Sequence, residues 1–173
     1  MNTKYKYFTI FPVLFLSMSN LFASDLSYRS AEIGYLDDAV TLEVMFGSSG
    51  TEAGSYGKVA VWGDSDLKIY QANAGYHMPM SDKTDWIIEG GYLGIDAGDW
   101  GSDSGYNVSV GIRNGTAAGT EFTFKIGRWD VEEAITVAEA RANFKINDTR
   151  SWFIGAISLD SETEFHVGFR FDF

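Results

Sequence analysis

The 173-residue chain has no cysteine, 2 prolines and 2 histidines, and its 13 lysines and arginines face 24 aspartates and glutamates. Each shortage removes a class of protein. Without cysteine there is neither a disulfide framework nor a thiolate metal site. The excess of acid excludes the basic surface on which nucleic-acid binding depends, so no nucleic acid is expected as a partner. With Pro12 and Pro79 its only prolines, the chain is free to run in long paired strands. Beyond residue 23 no run of 18 apolar residues occurs, so no helix is expected to cross a membrane. A spanning β-barrel leaves no such run, because its strands alternate in character.

What is abundant points the same way. Glycine accounts for 19 residues and aromatics for 16% of the chain, a composition suited to many strands and tight turns. Residues 1–23 read differently: Lys4 and Lys6 precede an apolar run from Phe8 to Leu16, and Ala23 is a small residue suited to cleavage. This is the layout of a secretory signal peptide, too short in its apolar part for a membrane anchor. Removing it takes away two lysines and no acid, so the formal charge falls from −11 to −13 over residues 24–173.

Alternation with period two recurs through those residues and predicts ten strands, at 26–36, 39–47, 56–63, 67–78, 84–95, 105–113, 120–130, 134–146, 150–159 and 163–173. Eight is the alternative count, if 39–47 and 56–63 form one irregular strand or an inserted plug. The last stretch is the most regular: Phe165, Val167, Phe169, Phe171 and Phe173 alternate with His166, Gly168, Arg170 and Asp172. Opposite faces of one strand therefore carry aromatics and charge. The ending on Phe resembles the C-terminal assembly signal of outer-membrane β-barrels, which implies recognition by the barrel-assembly machinery. On other strands Tyr70, Tyr76, Trp86, Tyr92 and Tyr106 stand near the ends of the apolar face, while Ala72, Ala74, Gly90, Ala138 and Ala140 hold its centre. Such a face suits lipid with aromatic girdles better than a core, which small residues would fill poorly. A soluble β-sandwich or lipocalin-like barrel is the competing architecture, with the apolar faces turned inward. The facing of the third and ninth strands is not fixed by their pattern.

Connections alternate too. The odd-numbered ones contain D-D, D-S-D, D-A-G-D-W-G-S-D-S, D-V-E-E and D-S-E, while the even-numbered ones hold fewer acids. In an up-and-down barrel this gathers acid at one end, expected to be extracellular, where it would meet lipopolysaccharide bridged by divalent ions or a cationic partner.

The segment 72–173 also carries Gly75-Tyr76, Ser81-Asp82-Lys83-Thr84-Asp85, Glu89-Gly90-Gly91-Tyr92 and Gly105-Tyr106-Asn107-Val108-Ser109-Val110-Gly111-Ile112-Arg113. In these it resembles the small porin-like outer-membrane barrels of Gram-negative bacteria, the OmpX-like group, and most of all its xanthomonad subgroup associated with secretion and signalling. Trp86 and an extra glycine depart from that pattern. The resemblance implies a transmembrane antiparallel barrel in the outer membrane, and no agreed biochemical activity.

On this reading the lumen receives Glu89, Arg113, Glu121, Lys125, Glu139, Arg141, Lys145, Glu164, His166, Arg170 and Asp172. Buried charges must pair or be hydrated, so a salt-bridged, water-filled interior is expected, with a narrow charge-selective pore as the alternative. Asp96, Asp99 and Asp103 are spaced so that a loop could offer oxygen ligands to Ca²⁺, although the spacing is not that of an EF-hand. Trp100, amid them, reads as an exposed contact residue. No cofactor motif is present. His77 and His166 fall at opposite ends of their strands and share no site with a nucleophile, so an enzyme is not expected.

Overall fold

A computed structural model describes residues 26–47, 52–160 and 162–173. The signal sequence expected at 1–23 lies outside the described residues. Among them the chain forms β1 (Ser30–Leu36), β2 (Ala39–Gly47), β3 (Gly54–Gly63), β4 (Lys68–Ser81), β5 (Thr84–Asp96), β6 (Ser102–Gly115), β7 (Thr120–Asp130), β8 (Ala134–Asn147), β9 (Arg150–Leu159) and β10 (Glu162–Asp172). Each strand pairs antiparallel with its sequence neighbours, and β1 also pairs with β10, closing a ten-stranded barrel. The eight-strand alternative is excluded, because β2 and β3 are separate strands in full register.

All ten expected strands are present, and most bounds agree within two residues, but β4 runs three residues past the expected 78, β6 extends the expected 105–113 at both ends, and the first strand is shorter. The first strand begins at Ser30, not at residue 26, and Leu26 and Tyr28 are buried. Continuing the alternation upstream of Ser30 misplaces these residues, because residues 26–29 fold into the barrel rather than along its wall.

Alternation decides which way each side chain points. Toward the lumen go the residues of the tenth strand that carry charge, with Arg170 buried; outward go Phe165, Val167, Phe169, Phe171 and Phe173, all exposed. The same division fixes the strands whose pattern was ambiguous. On β3, Tyr56, Lys58, Ala60 and Trp62 turn inward while Val59 and Val61 are exposed; on β9, Ser151 and Phe153 turn inward while Trp152 and Ile154 are exposed.

The exposed set is that of a membrane protein. Ile33, Leu42, Val44, Val59, Ile88, Val108, Val110 and Ile154 form a middle band, flanked by Tyr70, Tyr92 and Tyr106 toward one end and Tyr76 and Trp86 toward the other. Lys58, Glu89, Arg113 and Arg170 are meanwhile buried inside. A soluble sandwich or lipocalin-like barrel would reverse this distribution, so the outer wall is read as facing hydrocarbon. Closure leaves no open sheet edge, which the hydrocarbon region requires.

The β1–β10 seam shows how the barrel closes tightly. Gly34 and Gly168 lie opposite each other across it, and the ring of Phe153 rests against both: a Cβ at Gly168 would collide with that ring, and one at Gly34 would collide with the Val167 carbonyl and press on the ring. Gly75 lies under the ring of Tyr56 in the same way. Glycine is thus used where a large inward aromatic must lie flat on the wall.

The connections after the odd strands gather at one end, here the odd end, and those after the even strands at the other, the even end. Several odd-end acids shape their own turns. Asp37 and Asp160 both have positive φ, of 48° and 51°. The Asp37 amide donates to the Phe165 carbonyl at 3.0 Å, and the Phe165 amide donates to Asp37 Oδ1 at 3.1 Å. The Asp160 amide donates to the Thr136 carbonyl and the Thr136 amide to Asp160 Oδ1, each at 2.8 Å. A short polar side chain tolerates the left-handed region and can bond locally there. Asp64 Oδ1 accepts the amides of Asp66 at 2.7 Å and Leu67 at 2.9 Å, and these bonds hold its carboxyl below the usual aspartate range.

Two outcomes are expected. Val110→Arg, at mid-height on the outer wall, should destabilise the barrel by about 2–4 kcal/mol, against about 0–1 for Tyr106→Arg near the rim. Urea titration in lipid vesicles, read by the folded fraction on unheated gels, would compare them; equal costs would argue against a lipid-facing wall. The depressed Asp64 carboxyl stabilises its turn fully above the ordinary aspartate pKa and ceases to as pH falls through its lowered value. Amide exchange at Asp66 and Leu67, corrected for intrinsic rates, should therefore lose protection only in that acidic window.

Candidate functional site: the ion-paired lumen

At mid-height the inward faces supply charge in alternating order. Glu43 on β2 approaches Lys58 on β3 at 3.9 Å; Lys58 meets Glu89 on β5 at 2.9 Å; Glu89 meets Lys125 on β7 at 3.5 Å; Lys125 meets Glu139 on β8 at 2.7 Å. A second string runs from Arg141 on β8 to Glu32 on β1 at 2.6 Å, to Arg170 on β10 at 3.9 Å, to Glu121 on β7 at 3.5 Å and to Arg113 on β6 at 2.5 Å. Asp172 adds a further carboxylate, 2.7 Å from Arg170. Lysines thus serve one string and arginines the other. Tyr56 donates to the second oxygen of Glu89 at 2.9 Å, so that carboxylate is held from several sides.

The remaining strands contribute without charge. Asn107 on β6 donates to Asn73 on β4 at 2.8 Å. Phe153 on β9, fully buried, lies under Arg141, whose guanidinium carbon is 3.8 Å from the ring centroid. Guanidinium stacks on an aromatic face while keeping its planar donors for carboxylates.

An apolar cluster lies on each side of this belt. At the even end Leu26, Tyr28, Tyr56 and Ile87 pack together with Met45. Tyr28 stacks on His77 with ring centroids 4.0 Å apart and donates to Asp85 at 2.8 Å, while His77 Nδ1 lies 3.2 Å from the same carboxylate. Arg113 and Arg170 donate to the Ser27 carbonyl at 2.7 Å and 2.9 Å, tying residues 26–29 into the barrel. At the odd end Ile69, Leu93, Trp129 and Val137 pack with Trp62, Ile95, Ile135 and Ile157. Between each cluster and the belt lies a cavity, of about 100 Å³ on the odd side and about 40 Å³ on the even side.

The expected lumen residues fall into groups. Glu89, Arg113, Glu121, Lys125, Glu139, Arg141 and Arg170 meet in the belt. His166 sits toward the odd side, sharing a hydrogen bond of 2.9 Å with Thr41 and edge-on to Phe153. Lys145 and Glu164 lie outside the belt. Lys145 stands at the even rim, half-exposed, paired with Asp148 at 3.1 Å; Glu164 stands near the odd rim with no ion-pair partner among the described residues. Both have the inward parity, but each is too near a strand end to reach the belt.

Three belt members went unforeseen: Glu32, Glu43 and Lys58. Glu43 was legible, since Val40, Leu42, Val44 and Phe46 alternate with Thr41, Glu43 and Met45. Lys58 was masked by Tyr56 and Trp62, inward residues that resemble an apolar outer face. The expected salt-bridged interior is flanked by apolar clusters that the alternation did not predict, one at each end of the lumen.

The calcium reading fails on geometry. Among the described residues no three of His, Cys, Asp or Glu are placed to hold a metal ion. Asp96 instead accepts the Gly98 amide at 3.0 Å and Asp103 the Ser104 amide at 2.6 Å, while Asp99 lies in the short 3-10 turn at Gly98–Trp100. The Trp100 side chain lies outside the described residues.

No family model matches this chain, and neither does any curated protein. Among solved structures it is similar to a KdgM porin in complex with disordered oligogalacturonate, with TM-score 0.59 and 9% identity over 83% of this chain and 98% of that one. It is also similar to a second KdgM porin structure, with TM-score 0.55 and 10% identity over the same shares. The chain has a porin's fold. At this identity the likeness concerns the barrel and not its cargo.

Removing one partner should reveal how the belt is held. Glu89→Ala leaves Lys58 and Lys125 facing each other in a closed space and should cost about 3–5 kcal/mol of folding stability. Adding Lys58→Met to that variant should recover part of the loss. Denaturant titration of the single and double variants would measure both, and additive losses would show that these residues do not interact.

Proposed function

We propose that this chain is an integral outer-membrane barrel whose lumen is closed at rest, and whose working surface is its odd end. The observation that carries this reading is the belt: ion pairs of 2.5 to 3.9 Å join strands across the lumen. A solute would have to break several buried pairs to pass, and each broken pair leaves an uncompensated charge. The role is then structural or adhesive. Acids that do not cap their own turns, Asp38, Glu132 and Glu133 among them, would meet divalent-bridged lipopolysaccharide or a basic partner outside the cell. Export by the sequence at 1–23, assembly through the last strand and placement in the OmpX-like group belong to the same proposal.

A narrow channel is the second reading, favoured by the likeness to KdgM porins. The oligogalacturonate of that complex is an anionic chain, whereas here Lys58, Lys125, Arg113, Arg141 and Arg170 are each engaged by a carboxylate. A free basic track for a polyanion is therefore absent among the described residues.

Planar-bilayer recording separates the two. The closed barrel should insert without stable conductance steps. Steady ion-selective steps whose selectivity changes with Glu89→Gln or Arg141→Gln would establish the channel instead.

A further inference from the structure

We infer that the odd mouth of the barrel is a docking site for a basic amphipathic peptide segment, which lays an apolar side chain on the floor of the mouth and sets a lysine or arginine against Glu164. The inference rests on the odd end being the working surface, and names what that end would hold.

The lumen of a membrane barrel is polar as a rule. Here Ile95, Val131 and Ile135 keep the inward parity of the buried Leu93, Trp129 and Val137, and each stands two residues nearer the odd end. Leu159 lies opposite Val137 on the neighbouring strand and packs on the same cluster. All four are only partly buried, and none lines the cavity beneath, so the apolar surface they expose faces the odd mouth. Acid borders this floor directly. Glu162 is the strand partner of Leu159, and Glu164 that of Ile157. Glu164 also points inward, and the charges that act on it are those of Asp37 and Glu162, both acids. No ion pair answers these three among the described residues, and they are not placed to hold one metal ion. The odd end has two bases, Lys68 and Arg128, and both take the outward parity of Tyr70 and Ile126; Arg128 is moreover bonded to Asp130 at 3.3 Å.

Two unfavourable features therefore lie side by side: apolar surface left in water, and carboxylates without a base. One ligand relieves both, a positive charge next to an apolar side chain. The alternatives each meet half of the site. A plain polycation leaves the floor wet, a neutral apolar molecule leaves the acids unanswered, and an anion is repelled. Every odd-end turn adds further carboxylate, which steers a cation toward the mouth before contact. A barrel of ten strands is narrow, so its mouth admits a chain end or a tight turn and not a folded domain.

The test uses the full chain folded in a zwitterionic detergent, with isoleucine, leucine and valine methyl groups labelled for NMR. The probe is a short peptide of lysines and leucines. One control peptide carries serine in place of leucine, the other glutamate in place of lysine. The methyl groups of Ile135 and Leu159 should shift saturably with the lysine–leucine peptide. Those of Val59 and Val110 on the outer wall, which would respond if the peptide merely entered the micelle, should not. Both controls should bind at least about tenfold more weakly, Leu159→Ser should weaken the probe by about fivefold and Glu164→Gln by about threefold. Heat-modifiable gel mobility verifies folding, and Glu164→Gln decides the question alone if Leu159→Ser does not fold. Shifts confined to the outer wall, or unchanged binding in Glu164→Gln, would overturn the inference. Equal binding of the lysine–serine peptide would overturn it while leaving the acidic odd end a working surface. Silence of both basic peptides would overturn it and also remove the basic partner from the odd-end reading, leaving lipopolysaccharide.

Discussion

In hydrocarbon an unpaired backbone N–H or C=O has no water to turn to, and that constraint governs the whole molecule. It is met at the β1–β10 seam, where Ser30 through Leu36 pair with His166 through Asp172. Once the sheet closes there, every strand acquires an inside and an outside. The aromatic face of β10 must go to lipid, so His166, Arg170 and Asp172 must go to the lumen. Closure around a narrow interior then brings charges from opposite walls within bonding distance. The ion-paired belt is thus a consequence of closure as much as an addition to it.

The two strings of the belt differ in kind. Lys58 and Lys125 act as flexible point charges among three glutamates. Arg113, Arg141 and Arg170 add planar contacts, to the Tyr28 ring, the Phe153 ring and the Ser27 carbonyl. Arginine therefore joins the belt to the aromatic cluster at the even end and to the glycine seam beneath Phe153. This explains how residues 26–29, which belong to no strand, come to be held inside: two guanidiniums and a stacked histidine secure them.

Strand number, closure and facing were legible wherever polar and apolar residues alternate strictly, as in β10 or in β6 from Tyr106 to Arg113. Facing was not legible where large aromatics point inward, because period two says that residues share a face but not which face. Tyr56, Trp62, Trp129 and Phe153 are such residues, and only the closed barrel shows that glycines make room for Tyr56 and Phe153. The acid at the odd end was visible as composition. Its cause is partly local: Asp37, Asp64, Asp96, Asp103 and Asp160 bond backbone amides of their own turns or of adjacent strands. Spacing alone could not distinguish that from a metal loop, since both place carboxylates among glycines.

The central claim is that the outer wall faces lipid and that paired charges close the lumen. A chain without cysteine allows it to be tested by single substitutions. Ser109→Cys places a thiol inside, opposite Glu89 and Gly127, and Ser102→Cys places one at the odd end of the same strand. In sealed lipid vesicles, a bulky membrane-impermeant thiol reagent should label Ser102→Cys readily and Ser109→Cys orders of magnitude more slowly. Adding Glu89→Ala to Ser109→Cys should restore labelling. Rapid labelling of Ser109→Cys with the belt intact would contradict the account.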